Sequence, residues 1–97
     1  MAFIQIIEFK TSKAEETQKL DQEWERATEG KRTVRRSIAT RDRNDPTHHM
    51  LLAFFDSFES AMENSALPET QEFAARYAEV IDGPMTFHDL DVIEDHS

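Results

Sequence analysis

Apolar residues along the chain follow two distinct patterns. In the segments Phe3 to Lys10, Thr33 to Arg41, His48 to Phe55 and Met85 to Ile93, they are continuous or alternate with polar ones. This is the signature of β-strands. In Phe3 to Lys10 both faces are mostly apolar: Phe3, Gln5, Ile7 and Phe9 share one, and Ile4, Ile6 and Glu8 the other. That pattern predicts a central strand covered on both sides. His48 to Phe55 reads the same way, whereas Thr33 to Arg41 alternates and predicts an edge or half-exposed strand. Between these strands the period changes. Thr17, Leu20, Trp24 and Ala27 line one helical stripe, and Phe73, Tyr77, Val80 and Ile81 line another.

Punctuation is sparse, with 2 Gly and 3 Pro, so each mark is informative. Ser12 and Glu15 have capping-box spacing before the first helix, and Gly30 is placed to stop it. Arg43-Asn44-Asp45-Pro46 predicts the turn of a hairpin with a longish loop. Asp56 and Glu59 are positioned to cap a short helix from Phe58 to about Asn64. Pro68 suits the first position of a further helix, which Gly83-Pro84 closes. The predicted order is β-α-β-β-α-β, with the second helix broken near Ala66 to Pro68. Two crossovers around a hairpin define a ferredoxin-like α+β sandwich, a four-stranded antiparallel sheet with its helices on one face. The other sheet face then needs a cover, and a second copy of the chain can supply it.

The chain has 97 residues, which predicts one domain over 1–97. Hydrophobic residues make up 38% and charged residues 32%. This core is lean by the globular norm of roughly 45–50% apolar. The absence of Cys excludes disulfides, thiol nucleophiles and Cys-based zinc sites. No apolar run is long enough to span a membrane, and the first residues do not read as a signal peptide. The expected location is the cytoplasm. The net charge of −9 argues against general nucleic-acid binding or a polybasic membrane contact.

That charge is segregated. Six bases and one acid lie between Lys31 and Arg43, and eleven acids and one base lie from Thr47 onward. The basic stretch either pairs with the acidic half or forms an anion site around Arg35 or Arg36. The adjacent His48 and His49 point to opposite faces of a strand and cannot jointly hold a metal. No metal site is expected. Gln5 is a polar residue in an apolar strand, and His88 lies mid-strand, so both are candidate polar contacts in a pocket. His88 is the candidate catalytic residue. Trp24 and Tyr77 lie on inward helical stripes, where they serve as core or as a ligand wall.

The segments FFDSFESAMENSALPETQEFA and DGPMTFHDLDV, set in this strand-helix-hairpin-helix-strand order, resemble the dimeric α/β-barrel superfamily. Within it they are most similar to the antibiotic biosynthesis monooxygenase-like family, in a bacterial subgroup. The resemblance implies a homodimer packed through the open sheet faces, with one pocket per subunit between sheet and helices and no cofactor. Some members of that family are cofactor-independent oxygenases of aromatic polyketides, and others degrade heme. The heme-degrading members use an Asn, a Trp and a His at positions occupied here by Gln5, Phe55 and Phe73, which disfavours heme chemistry.

Three functions stay open: an oxygenase-like enzyme on an aromatic or polyketide-like substrate, a non-catalytic small-ligand binder, and a structural homodimer. The ligand in the first two is a small apolar or aromatic molecule. The expected pocket residues are Gln5, Trp24, Arg36, Phe73, Tyr77, Phe87 and His88. Neither nucleic acid nor membrane is an expected partner.

Overall fold

The computed structural model describes residues 2–97. Its elements are β1 (Phe3–Lys10), α1 (Ala14–Ala27), β2 (Arg36–Asp42), β3 (Asp45–Phe55), α2 (Phe58–Ala66), α3 (Pro68–Ala78) and β4 (Thr86–Asp91). The four strands form one sheet in the order β2-β3-β1-β4, with every neighbouring pair antiparallel. The two most apolar strands, β1 and β3, are the central pair. This is the ferredoxin-like α+β sandwich, and among the described residues no helix is long and apolar enough to cross a membrane.

Register assigns every strand residue to a face. Phe3↔Phe55, Gln5↔Ala53, Ile7↔Leu51 and Phe9↔His49 pair across β1 and β3 on the helix side. There Phe9, Leu20 and Tyr77 are buried against Leu51, Phe73 and Val80, while Phe3, Phe55 and Ala61 form a second cluster. The opposite face carries Ile4, Ile6, Leu52, Phe54, Ile38 and Leu90. No helix covers it.

Local chemistry departs from the expected punctuation in five places. The Ser12/Glu15 capping box does not form. Lys13 is the cap residue and makes no side-chain cap bond. The buried Thr11 hydroxyl accepts from Lys13 N at 2.9 Å and donates to the Val80 carbonyl at 2.7 Å. That anchor fixes the entry to α1 one residue later than the Ser12 spacing implies. The hairpin turn is shorter than expected, only Arg43-Asn44, since Asp45 and Pro46 already belong to β3. The Asp42 carboxylate accepts from Asn44 N and the Asp45 carboxylate from Thr47 N, so the acids tighten the turn, and a bulge sits at Arg41/Asp42. A proline next to a strand's start leaves the ladder intact.

β2 starts at Arg36 rather than Thr33. Thr33 instead donates its N–H to Asn64 and its hydroxyl to the Ser60 carbonyl, which ties the preceding loop to α2. α2 is capped by Ser57, whose hydroxyl accepts from Ser60 N at 3.1 Å, with Ser60 returning the bond. Asp56, expected at that cap, is held by Arg35 at 2.6 Å. The break at Leu67 and Pro68 at the first turn of α3 follow the expectation. α3 ends at Ala78, before Gly83, which takes a positive φ of 85° in the turn beyond.

Candidate functional site

A partly open cleft of about 260 Å³ lies between α1, α3 and the β2–β3 end of the sheet. Its chemistry comes from Thr17 and Asp21 on α1, Tyr77 on α3, His49 on β3 and Arg41 on β2, over a floor that includes Phe9. Asp21 follows Thr17 by four residues, so α1 presents both on one face. His49 reaches the cleft because β3 alternates: Phe55, Ala53, Leu51 and His49 all point toward the helices. Arg41 pairs with His49 in register and shares its face.

Among the described residues, two side-chain atoms are buried without a hydrogen-bond partner: Nε2 of His49 and the hydroxyl of Tyr77. Both residues line this cleft. Buried polar groups are almost always paired, and leaving one unpaired costs about 1–3 kcal/mol. The His49 ring stacks on Phe9 with centroids 5.5 Å apart and planes 9° apart, and Tyr77 meets Phe9 edge-on at 5.1 Å.

Burial pushes the Asp21 carboxyl up to about 6. The neighbouring Tyr77 hydroxyl draws it partway back without completing a hydrogen bond, and the Glu25 charge adds to the rise. Burial first, and the Asp21 charge second, hold the Tyr77 phenol above its ordinary value. Tyr77 therefore remains a neutral donor, while Asp21 exchanges a proton near physiological pH. Arg41 forms no salt bridge among the described residues, unlike Lys31 on Glu69 and Arg35 on Asp56 in the same basic stretch.

Of the residues expected from the sequence, Tyr77 lines the cleft, and Trp24 and Phe73 stand behind it. Phe73 packs on Tyr77 at 5.0 Å, and Trp24 on Phe73 at 5.9 Å. The Trp24 Nε1 proton goes to Thr70 at 2.9 Å, not to Gln5 or His88. Gln5 is on the helix side but toward the other end of β1, where its amide donates to Asp89 at 3.0 Å. Phe87 shares that face on β4 and is 53% exposed. Arg36 and His88 lie on the uncovered face, paired in register with Phe54 and Ile6. The structure therefore separates the expected Gln5–His88 cluster: the two residues are on opposite faces of the sheet. The expected pocket, drawn as one wall, is split across three places.

His88 belongs instead to a network on the uncovered face. Glu8 accepts from His88 at 3.1 Å and from His48 at 2.6 Å, and the other nitrogen of His48 meets Asp42 at 3.0 Å. No group of His and carboxylates suited to a metal ion occurs among the described residues. A second depression, of about 250 Å³ between α1 and α3, is lined by charged residues that include the Arg76–Glu23 ion pair at 2.6 Å.

Solved structures with the same arrangement identify the fold. A variant of SnoaB, a cofactor-independent oxygenase from Streptomyces nogalater, superposes with a TM-score of 0.83 at 9% identity, over 97% of this chain and 95% of its own. Rv0793 from Mycobacterium tuberculosis gives 0.82 at 14% identity over the full length of both chains. A conserved protein from Methanosarcina mazei Go1 gives 0.82 at 12%, covering 93% of this chain and 91% of its own. The chain has the antibiotic biosynthesis monooxygenase-like fold. At such identities the monooxygenase-like architecture is shared while the side chains of the cleft are this chain's own. No family model and no curated protein sequence matches it.

Proposed function

We propose that the protein is a small-molecule enzyme of the cofactor-independent oxygenase type, acting on an aromatic or polyketide-like substrate in the cleft between α1, α3 and the sheet. The observation that carries this reading is the pair of orphaned polar atoms, on His49 and Tyr77, in one cleft beside Asp21. A protein that needed the space only for packing gains nothing from unpaired polar atoms there. The shared fold with a cofactor-independent oxygenase supports the class of chemistry. A site that stabilises a substrate carbanion lets it react with dioxygen directly. In that reaction a methylene becomes a carbonyl. One oxygen atom enters the substrate, and the other leaves as water with the two hydrogens.

The aromatic run Trp24–Phe73–Tyr77–Phe9 supports a planar guest by giving the cleft a stiff wall. Native mass spectrometry of gently purified protein, followed by dioxygen uptake with the ligand it identifies, tests the proposal. A reproducible added mass that supports stoichiometric oxygen uptake is the expected result. A ligand retained without uptake reduces the protein to a binder, and a bare chain that neither binds nor turns over aromatic compounds overturns the reading.

A further inference from the structure

The uncovered face of the sheet changes character along its strands. Register sets its residues in rows: Arg36, Phe54, Ile4 and Leu90 form one, and Ile38, Leu52, Ile6 and His88 the next. Thr40, Met50, Glu8 and Thr86 follow. Beyond them His48 stands opposite Lys10, and its ring bonds Asp42. One half of the face is therefore apolar, and the other half carries the Glu8–His48–Asp42 cluster. His88 reaches over from the apolar half to Glu8 at 3.1 Å.

The chain exposes 6801 Å² of surface. A folded monomer of its mass exposes roughly 5,700 Å². The excess, roughly 1,100 Å², is of the order of the ~800 Å² that each partner gives to a standard interface. The two free edges of the sheet also differ in charge. β2 and its turn carry Arg36, Arg41 and Arg43 against Asp42, whereas β4 and the residues after it carry Asp89, Asp91, Glu94 and Asp95 with no Lys or Arg. A second copy of the chain is complementary edge to edge, β2 of one to β4 of the other.

Two copies stacked face to face with their strands aligned share a two-fold axis that runs either along the strands or across them. An axis across the strands sets β2 on β2 and β4 on β4, like charge against like, and lays apolar rows over ionisable ones. An axis along the strands sets each β2 on the other copy's β4 and keeps every row at its own level. Apolar rows then meet apolar rows, and the two His48 clusters meet each other. Edge charge and apolar matching favour the same axis.

We propose that a second copy covers this face with the two-fold axis along the strands, and that docking takes up protons at the two His48 clusters it brings together. The proposal is independent of what the cleft binds. In the single chain His48 bonds Glu8 at 2.6 Å and Asp42 at 3.0 Å, with 21% of its side chain exposed. While the imidazole is neutral, docking buries both carboxylates of both clusters side by side. Protonating each His48 halves that net charge. The other ionisable groups near His48 are Lys10 on β1, held by Asp45 of β3 at 3.6 Å, and His88 on β4, which reaches it only through Glu8. The docked copy brings the same set. Asp42 first and Glu8 second already hold the His48 imidazole above its ordinary value. Association is therefore tightest where His48 is charged, and it weakens as pH rises and the proton leaves.

Sedimentation velocity tests the proton uptake. Because the chain has no Cys, Ser97→Cys carries a single dye and allows dilution to nanomolar concentration. In about 0.5 M NaCl, which screens long-range repulsion between the acidic chains, the dissociation constant is expected to fall about tenfold to a hundredfold from pH 8 to pH 6. Where dilution leaves the dimer intact, exchange between chains carrying donor and acceptor dyes should slow over the same range. His48→Gln should lose most of the pH dependence. Glu8→Gln should associate more tightly than wild type at pH 8, since it removes a buried charge, whereas mere damage to the face would weaken association. A wild type that stays a single chain, an association indifferent to pH, His48→Gln with the full dependence, or a weaker Glu8→Gln at pH 8 overturns the proposal. Cross-linking tests the seating. Thr40 and Thr86 are level with Glu8 on opposite edges of the sheet. A short bis-maleimide should join Thr40→Cys to Thr86→Cys in a mixture of the two variants and should join neither variant to itself. Self-linking of either, or no linking in the mixture, overturns the proposed axis.

Discussion

Burying Asp21 costs stability, and the sign of that cost is measurable. An acid raised from its ordinary 3.8 to about 6 binds a proton more tightly folded than unfolded. Folding is therefore favoured below pH 3.8, and that advantage is lost as pH rises through 6. At pH 8 the ionised carboxylate is a burden of about 1–2 kcal/mol after allowance for its partial contact with solvent. Asp21→Asn should then raise the free energy of urea unfolding by about that amount at pH 8 and by little at pH 4. An equal effect at both pH values would assign the change to packing instead. The residue was legible in part. The stripe Thr17, Leu20, Trp24, Ala27 located the inward face of α1, and Asp21 lies one turn beyond Thr17 on its flank. His49 was legible too: strand alternation places it opposite His48 and with Leu51. Its orphaned nitrogen was not legible, because pairing depends on what α1 and α3 bring to that face. His88 drew attention as the lone mid-strand histidine, yet its face followed from pairing with Ile6, which only the register reveals.

At the scale of elements, the uncovered sheet face ties all four strands together through ionisable groups. Glu8 on β1 is held below its usual value by hydrogen bonds first from His88 on β4 and then from His48 on β3. Asp42 on β2 is lowered chiefly by His48. His48 is raised, by Asp42 first and Glu8 second. The raised histidine contributes stability that is complete below its ordinary 6.5 and is lost as pH climbs through its folded value. The lowered carboxylates contribute above 4.5 and 3.8 and lose their contribution as pH falls through their folded values. The network is thus strongest between about pH 4.5 and 6.5. Lys10, opposite His48 in register, is drawn toward Asp45 at 3.6 Å and leaves the histidine to its carboxylates. Replacing His48 with Gln should lower Tm between pH 4.5 and 6.5 and flatten its fall above pH 6.5. An unchanged profile would mean that the pairs are too solvated to matter. The same scale explains which boundaries were readable. Pro68 marked the start of α3 because proline at a first turn has a fixed meaning. The Ser12/Glu15 box misled because Thr11, two residues from the helix, was already committed by tertiary contact to Val80. Ser57 capped α2 where Asp56 was expected because Arg35 took the aspartate. Ser57→Ala should cost about 1 kcal/mol in urea unfolding, whereas a loss near zero would show that Ser60 alone holds the turn.

At the scale of the molecule, the uncovered face poses the remaining question. It carries Ile4, Ile6, Ile38, Leu52, Phe54 and Leu90 around the Glu8–His48–His88 network. Both central strands are apolar on this side as well as on the helix side, which is why they read as doubly buried in the sequence. A single chain buries only one of those sides. An apolar sheet face of this extent, rimmed by charge, favours association. The occupant that satisfies it most simply is a second copy related by a two-fold axis, since such an interface needs only to complement itself. Arg36, at the edge of the face, is then available to pair across it. We therefore expect light scattering after size exclusion to give the mass of two chains. Leu52→Lys at the centre of the face should return a single-chain mass while α1, α3 and the cleft stay folded. A monomeric wild type would remove the dimer and leave the network as a surface feature. A Leu52→Lys variant that stays dimeric would move the interface to another face. A variant that is monomeric yet still binds the ligand found by native mass spectrometry would show that each subunit completes its own cleft.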